Sequence, residues 1–537
     1  MRKVLAALCL LAAAVPAAAQ SAGPRGAAPK PATPAAYDVL IRGGRVLDGS
    51  GNPWFYADVG VTGDRIAAVG DLSGATAKRV IDAKGLYVTP GFIDVHSHAG
   101  PGLAKPALAQ GQPLLAQGLT TIFANPDGGG PVDLVKQRAA LEKNPLGVNV
   151  ALMVPHGSVR GAVLGMSDRD PSAAELDRMR SLVRQGMQAG AFGLSDGPYY
   201  APSSYSKTAE IVELAKVASE FGGVYTSHIR DESDYTVGLV AAVDEVITVS
   251  REAKLPGVVT HIKALGPHVW GLSDHIVQRI EQAREQGIQV YADQYPYEAS
   301  GTGITGALVP RWAQVGGDTA LVRRIGDATE RARMRADMLV NLERRGGADR
   351  LQFSDYEPDH SIEGKTLGQV ARERNTDPID LAMELLKKGD AGLVSFNMSE
   401  HDIATFMRQP WTMTCTDGGL VAMDDGVPHP RFYGAFPRKI RKYVEEEHVI
   451  DLPWAVRSMT SLPAAVFHLD DRGWIRPGMK ADILVFDPSR VRDKATYEKP
   501  HQLAEGMQYI LVNGGVAVDD GRFTGRYGRV LSRKPVT

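Results

Sequence analysis

Residues 85–98 read GLYVTPGFIDVHSH, an apolar segment that ends in two histidines separated by one residue. Side chains two apart on a β-strand point the same way, so His96 and His98 can approach one metal ion together. In a parallel barrel, functional side chains sit at the C-terminal ends of the strands. The segment therefore predicts the first strand of such a barrel with a metal site at its mouth. A pair of surface histidines at a strand end is the alternative, and the apolar strand before them favours the metal.

Seven further short apolar runs follow, separated by helix-like segments, which is the pattern of parallel strands wound by helices. Each run ends in polar residues. We predict an α/β fold with a (β/α)8 TIM-type barrel over residues 87–469. The eight predicted strands are residues 86–95, 120–124, 148–154, 190–194, 223–227, 257–262, 288–292 and 411–416.

The two ends of the chain carry a different pattern. In residues 37–86 and 470–537, apolar and polar residues alternate between Gly and Asp turns, as in short β-strands. These segments predict one small β-sandwich domain that is built from both ends and interrupted by the barrel. Residues 301–410 form a gap much longer than one helix, which predicts an inserted helical subdomain.

The N-terminus is typical of a secretory signal. Arg2 and Lys3 precede an apolar run and three alanines at 17–19, so we predict a signal peptide over 1–19 and a disordered lead-in over 20–36. The protein is expected to be exported, either to the periplasm or outside the cell. Cleavage would leave Cys415 as the only cysteine, which excludes an intrachain disulfide. With 44% hydrophobic residues and a net charge of -2, the composition is globular and indicates no nucleic-acid or membrane partner.

Three more residues able to bind metal follow predicted strands. His228 ends GGVYTSH, His261 ends PGVVTH, and Asp417 lies in TCTDGG after the eighth run. A single histidine after an apolar strand is more often a core or surface residue, but their common placement after a His-x-His pair favours one shared site. A carboxylate beside a metal can bind it, accept a proton from water and later protonate a leaving amine.

Four histidines and a late aspartate in this order resemble the amidohydrolase superfamily. Longer motifs are similar to those of the N-acyl-D-amino-acid deacylases, also called D-aminoacylases, and the resemblance extends from about residue 37 to the chain end. The motifs are GAFGLSDGPYYAPSSY, YTSHIRDES, VVTHIKALG, YADQYPYEASGT, TCTDGG and HPRFYGAFPR. The resemblance implies a cofactor of one or two Zn²⁺ ions at the histidines and Asp417.

The same resemblance implies roles for further residues. Tyr200 is expected to donate to the oxyanion that forms on the scissile carbonyl, and Asp417 to carry the proton to the departing amine. A surface lysine, core tyrosines and a loop arginine are the alternatives for the implied substrate residues, although the fork of a buried arginine suits a carboxylate. The residues implied to hold the α-carboxylate of the substrate are Lys263, Tyr295 and Arg431, with Thr302 as a nearby hydroxyl.

The second strand departs from the family pattern. These deacylases usually carry a zinc-binding cysteine in an Asn-Cys-Gly turn, whereas TTIFANPDGGGP places Pro126 there, which has no ligating atom. Asp127 could supply a carboxylate ligand instead, or could belong to an ordinary Pro-Asp-Gly turn. Cys415 could be a ligand because it lies two residues before Asp417, or a buried inert thiol. The number of metal ions therefore stays open, and so does the oligomeric state.

The function predicted from these observations is metal-dependent hydrolysis of N-acyl-D-amino acids, small substrates with a free carboxylate. A dipeptidase that cleaves before a C-terminal D-residue is an alternative, because the same carboxylate site would accept its substrate. A cyclic-amide hydrolase is disfavoured, since those enzymes typically use a modified lysine on the fourth strand and GAFGLSDG has none. A non-catalytic binding protein is a third alternative, against which all the expected ligands are present.

Overall fold

The computed structural model describes residues 36–533. The predicted signal peptide lies outside the described residues, and so does the predicted lead-in except for Ala36, which begins the first strand. The strands of the described part are β1 (Ala36–Val46), β2 (Phe55–Thr62), β3 (Arg65–Gly70), β4 (Thr76–Asp82), β5 (Tyr87–Pro90), β6 (Phe92–Asp94), β7 (Leu119–Ala124), β8 (Asn149–Leu152), β9 (Val154–Pro155), β10 (Gly193–Asp196), β11 (Val224–Ser227), β12 (Gly257–Val259), β13 (Val290–Gln294), β14 (Ala299–Gly303), β15 (Leu351–Asp355), β16 (Gly392–Phe396), β17 (Thr412–Thr414), β18 (Ile483–Phe486), β19 (Met507–Val512), β20 (Gly515–Asp519) and β21 (Arg522–Phe523).

Helices separate most of these strands, and α15 continues as a π-helix over Lys439–Glu446. Within residues 36–533, no helix combines the length and apolar character that crossing a membrane requires. The α-helices are α1 (Gly100–Leu103), α2 (Gln112–Ala116), α3 (Leu134–Glu142), α4 (His156–Leu164), α5 (Ala173–Gln188), α6 (Thr208–Glu220), α7 (Leu239–Ala253), α8 (Ser273–Glu285), α9 (Ile304–Leu308), α10 (Gly317–Gly326), α11 (Ala328–Arg344), α12 (Leu367–Glu373), α13 (Pro378–Leu386), α14 (Glu400–Met407), α15 (Arg431–Arg438), α16 (Leu452–Met459) and α17 (Ser461–Val466).

Eight parallel strand positions close into a barrel, which confirms the predicted fold class. One parallel ladder has the order β6-β7-β8 and the other the order β17-β13-β12-β11-β10-β9. The two ladders meet at Met153, which divides the third strand into β8 and β9 and donates its N–H to the Ala124 carbonyl at 3.1 Å. The ring closes where the Asp417 N–H donates to the His96 carbonyl at 3.0 Å. All six residues of β7 are buried because helices cover the outside while side chains fill the inside.

Both ends of the chain join in a separate nine-stranded sheet with the order β21-β20-β19-β18-β5-β1-β2-β3, and β4 also pairs with β1. The predicted barrel run 86–95 is divided between the two sheets, because β5 pairs with β1 and β18 whereas β6 pairs with β7. Gly91 makes the crossing between them. A Cβ there would stand 2.1 Å from Thr120 Oγ1, so a larger residue would force the sheets apart.

The insertion follows β13 at the barrel mouth and has its own hydrophobic core, which includes Met334, Met338, Phe353 and Leu393. Helices α9 to α13 supply most of it. A three-stranded antiparallel sheet with the order β14-β16-β15 accompanies them, a feature that the expected helical subdomain did not include. The strand β14 brings this subdomain against the barrel and places Thr302 beside the cavity described below.

Candidate metal centre

Four imidazoles and two carboxylates converge at the C-terminal mouth of the barrel. They follow β6, β7, β11, β12 and β17, whose ends meet there because the strands are parallel. The potential ligand atoms form two groups that share one carboxylate, with the atoms of each group within 4.8 Å of one another. The first group is His96, His98, Asp127 and Asp417, and the second is Asp127, His228 and His261.

Asp127 occupies the middle of this arrangement. Its Oδ1 atom lies 3.3 Å from His96 Nε2, 3.7 Å from His228 Nδ1 and 3.4 Å from His261 Nε2. Its Oδ2 atom lies 3.3 Å from His98 Nε2. The structure therefore places Asp127 as a ligand candidate, and the Pro-Asp-Gly turn serves to direct this side chain into the cluster.

The backbone of this turn is left-handed at three positions. Asn125 has φ 64°, Asp127 has φ 54° and Gly128 has φ 67°. Asn and Asp tolerate this region better than other non-glycine residues, but it still has a cost that the surroundings must offset. The Asn125 carbonyl accepts from Ser195 Oγ at 2.6 Å, and the Gly128 carbonyl accepts from the Ser158 N–H at 3.0 Å. Strand β10 and the first turn of helix α4 thus hold the turn in place.

The donor set fits a divalent cation. Three buried atoms that could bind metal, His96 Nε2, His228 Nδ1 and Asp127 Oδ1, have no hydrogen-bond partner among the described residues. Burial opposes a charge on His98, yet the carboxylates of Asp127 and Asp417 raise its pKa to about 9. The two carboxylates thus favour positive charge at His98, whereas burial lowers the pKa of His228. A metal ion would provide positive charge between these groups in place of protons.

Asp417 is held from two sides. Its N–H bonds the His96 carbonyl, and Arg431 Nη1 lies 2.8 Å from its Oδ2 atom. Although burial opposes ionisation, the Arg431 guanidinium helps to hold the pKa of Asp417 well below its usual range. The remaining oxygen, Oδ1, lies 3.2 Å from His98 Nε2 and 3.5 Å from His96 Nε2. Asp417 therefore carries a negative charge directly beside the cluster.

Glu232 belongs to the site and was missed by the sequence analysis. This buried carboxylate contacts Lys263 Nζ, lies 3.1 Å from His261 Nδ1 and lies 3.6 Å from His228 Nε2. Lys263 Nζ also lies 2.7 Å from His261 Nδ1, so Glu232 and Lys263 together can fix the ring orientation of His261 through the nitrogen that faces away from Asp127. The available signal was its place four residues after His228 in YTSHIRDES.

A cavity of about 1330 Å³ opens over the cluster. The Tyr200 phenol forms part of the cavity wall, and its hydroxyl lies 3.2 Å from Thr302 Oγ1, with which it forms a hydrogen bond. Arg431 lies over the Tyr295 ring at 4.6 Å, and its Nε and Nη1 atoms have no hydrogen-bond partner among the described residues because the N–H groups do not point at Asp417. The structure brings together in this cavity the predicted residues Tyr200, Lys263, Tyr295, Thr302, Asp417 and Arg431.

Two neighbouring tyrosines are excluded from the role given to Tyr200. Tyr199 donates to the Gly306 carbonyl at 2.9 Å and accepts from Arg345 at 3.1 Å, so its hydroxyl is already engaged. Tyr297 donates to the Pro430 carbonyl at 3.4 Å. Cys415 is buried, and neither group of candidate ligands includes it.

A closed parallel barrel with imidazoles and carboxylates gathered at its mouth is typical of barrel proteins that bind a metal ion and use it in catalysis. Comparison with known proteins agrees. The model of the amidohydrolase family matches residues 79–518. The chain belongs to that family.

Relatives within the family match nearly the whole chain. A D-aminoacylase of Alcaligenes xylosoxydans xylosoxydans is 34% identical over 93% of this chain and 98% of its own length. An N-acyl-D-glutamate deacylase of the same organism is 34% identical over 92% and 96%. The crystal structure of an N-acyl-D-glutamate deacylase from Bordetella bronchiseptica, in complex with zinc and a phosphonate inhibitor, has a TM-score of 0.79 and 33% identity, covering 92% of this chain and 99% of that one. A D-hydantoinase, at 15% identity and a TM-score of 0.57, shares the fold alone.

Proposed function

We propose that this protein hydrolyses the amide bond of N-acyl-D-amino acids and releases a carboxylate and a free D-amino acid. The observation that carries the proposal is a cavity in which the candidate metal ligands face a phenol donor and two basic side chains, Lys263 and Arg431. Support also comes from two relatives at 34% identity, which are a D-aminoacylase and an N-acyl-D-glutamate deacylase.

The residues that would hold zinc are the four histidines with Asp127 and Asp417. Zinc, when bound, acts as a Lewis acid toward the amide carbonyl and makes water acidic enough to lose a proton near neutral pH. Asp417 is placed to accept that proton and to pass it to the leaving amine, which must be protonated before the C–N bond breaks. The charge of Arg431, whose Nη1 atom lies 2.8 Å from Asp417 Oδ2, helps to keep this carboxylate ionised.

Tyr200 supplies a second stabilising contact. Its hydroxyl can turn from Thr302 toward the oxygen that becomes negatively charged when the carbonyl is attacked. Burial, aided by the charge of Asp127, raises the pKa of Tyr200 well above its usual value, so the group remains a donor. Lys263, Tyr295 and Arg431 line the same cavity. Arg431 has N–H groups without a partner among the described residues and suits the α-carboxylate of the substrate, whereas the Lys263 ammonium must share its hydrogen bonds between that carboxylate and Glu232.

The test is a hydrolysis panel on purified, zinc-loaded protein. N-acetyl-D-amino acids should be cleaved and their L-enantiomers much less, whereas amides without a carboxylate should be poor substrates. Dipeptides with a C-terminal D-residue belong in the panel, because preferential cleavage of these would favour the dipeptidase. Cleavage of hydantoins alone, or of nothing, would reject the proposal.

The location of the protein is a second part of the proposal. The sequence of residues 1–19 supports export. Expression of the full chain in a Gram-negative host, followed by fractionation and N-terminal sequencing, should find the mature protein outside the cytoplasm, starting near Gln20. An intact Met1 in the cytoplasmic fraction would contradict export.

A further inference from the structure

The position of Asp127 distinguishes it from the other five candidate ligands. It is the one residue common to both ligand groups, and it approaches the ring nitrogens of all four histidines within 3.3–3.7 Å. Its two oxygens face different histidines, since Oδ2 is directed to His98 and Oδ1 to the other three. A carboxylate with this arrangement can bind one metal ion through each oxygen or share one oxygen between two ions.

We propose that Asp127 is a shared ligand between two metal positions, so that nitrogen and oxygen atoms alone hold the centre. This inference deepens the proposed function, because it concerns the same site. His96, His98 and Asp417 complete the first position. His228 and His261 complete the second, which has no other carboxylate among the grouped ligands.

The backbone conformation favours a metal-ligand role for Asp127 over membership of an ordinary Pro-Asp-Gly turn. Two non-glycine residues, Asn125 and Asp127, adopt left-handed conformations within three positions. Such conformations persist where surrounding contacts over-determine them, and they concentrate at functional sites. Here the Asn125 amide and the Gln137 amide bond each other in both directions at 2.8 Å, which fixes the start of the turn.

The space around the turn is equally restricted. A Cβ on Gly197 would stand 2.4 Å from the Asp127 carbonyl, and one on Gly157 would stand 2.9 Å from the Gly128 carbonyl. Two glycines from adjacent strand ends thus admit the turn into the barrel mouth. The buried Oδ1 atom that results has no hydrogen-bond donor among residues 36–533, which is costly for a carboxylate unless a cation binds it.

The proposed ligand sets differ in charge. The first position has two carboxylates, one of them shared, whereas the second has two neutral imidazoles and the shared carboxylate alone. We expect the first ion to bind more tightly than the second. Since carboxylate and imidazole suit Mn²⁺ and Co²⁺ as well as Zn²⁺, and no thiolate selects for softer metals, the centre should accept all three.

The test measures metal binding directly, so it does not depend on any substrate. Metal-free full-length protein is titrated with Zn²⁺ and then with Mn²⁺, and bound metal is counted by elemental analysis. Wild-type protein should bind two ions in two phases. Asp127→Asn, which keeps the shape of the side chain, should bind one ion at most and lose more than about 100-fold in metal affinity. Mutation of a residue that only hydrogen-bonds to a metal ligand already lowers metal affinity about 10- to 100-fold, so loss of a ligand itself should lower it more. Two ions bound by Asp127→Asn with unchanged affinity would overturn the inference.

Spectroscopy supplies a matched control. Co²⁺-loaded protein should show no thiolate-to-cobalt charge-transfer absorption, and Cys415→Ser should bind metal like the wild type. Mn²⁺-loaded wild type should give an exchange-coupled spectrum in electron paramagnetic resonance, whereas Asp127→Asn should give that of an isolated ion. A thiolate band, or loss of an ion in Cys415→Ser, would overturn the inference. If metal binding follows this pattern while the hydrolysis panel is negative, the proposed function fails and the metal centre stands.

Discussion

The sharpest prediction concerns the hydroxyl group of Tyr200. Tyr200→Phe removes one oxygen and leaves the ring, which packs against Tyr199 and His228 at centroid distances of 5.0 Å and 4.7 Å. Among the residues that the structure describes, the hydroxyl makes one hydrogen bond, to Thr302, at 3.2 Å. Loss of that bond should lower the free energy of unfolding by about 1 kcal/mol or less. Any larger effect on turnover must come from the reaction itself.

The expected effect on turnover follows from the role of an oxyanion donor. Removal of one such donor typically lowers kcat about 100- to 1000-fold, or about 2.7–4 kcal/mol. KM should change little, because the hydroxyl acts on charge that develops only in the transition state. The assay is steady-state release of free D-amino acid from the best N-acetyl-D-amino acid of the panel, with metal content measured in parallel.

Tyr199→Phe is the matched control. The adjacent ring also contacts His228, at 5.0 Å, but its hydroxyl bonds Gly306 and Arg345 instead of facing the substrate. This variant should lose stability and retain most of its kcat. A less than about threefold fall in kcat for Tyr200→Phe, or an equal fall in both variants, would refute the oxyanion role.

Other perturbations test separate parts of the site. Asp417→Asn should abolish turnover without unfolding the barrel, as judged by circular dichroism; near-normal hydrolysis would remove its proton-transfer role. Arg431→Ala should lower kcat/KM by about 100-fold or more for free-carboxylate substrates, and an equal loss on carboxamide analogues would argue against carboxylate binding. Chelation should remove activity, and added Zn²⁺ should restore it. Asp196 and Glu210 raise the pKa of buried His156 from 6.5 to about 9 despite its burial, so this histidine stabilises the fold below pH 6.5 and loses that contribution as the pH rises through about 9. His156→Gln should flatten that part of the pH dependence in urea unfolding; an unchanged slope would contradict the assignment.

Much of the barrel could be predicted from local patterns. Strands buried on both sides are continuous apolar runs, so β11 to β13 and β17 lie inside or within two residues of their predicted ranges. The division at Gly91 was not predictable in this way. The two short strands on either side of Gly91 look like one run, because the sequence does not reveal which partners each will pair with.

The residues of the candidate site likewise differ in how well the sequence predicts them. The histidines and Asp417 follow predicted strands, so a polar residue directly after an apolar run was enough to indicate them. The sequence left open whether Asp127 is a metal ligand or part of an ordinary turn. The direction of its side chain depends on left-handed backbone angles, which contacts from Ser158 and Ser195 stabilise. Glu232 gave no periodic signal, since it lies in a loop and acts through His261 and Lys263.

The sheet shared by both termini has a consequence for biogenesis. The first five strands can pair with one another, because β5 pairs with β1, but the other edge of β5 pairs with β18. Asp64 and its partner Lys480 are 416 residues apart in the chain. A nascent chain that emerges N-terminus first therefore exposes an unsatisfied strand edge throughout synthesis of the barrel. That edge is covered only when β18, which begins at Ile483, has been synthesised, so the sheet of the two termini is completed after the barrel.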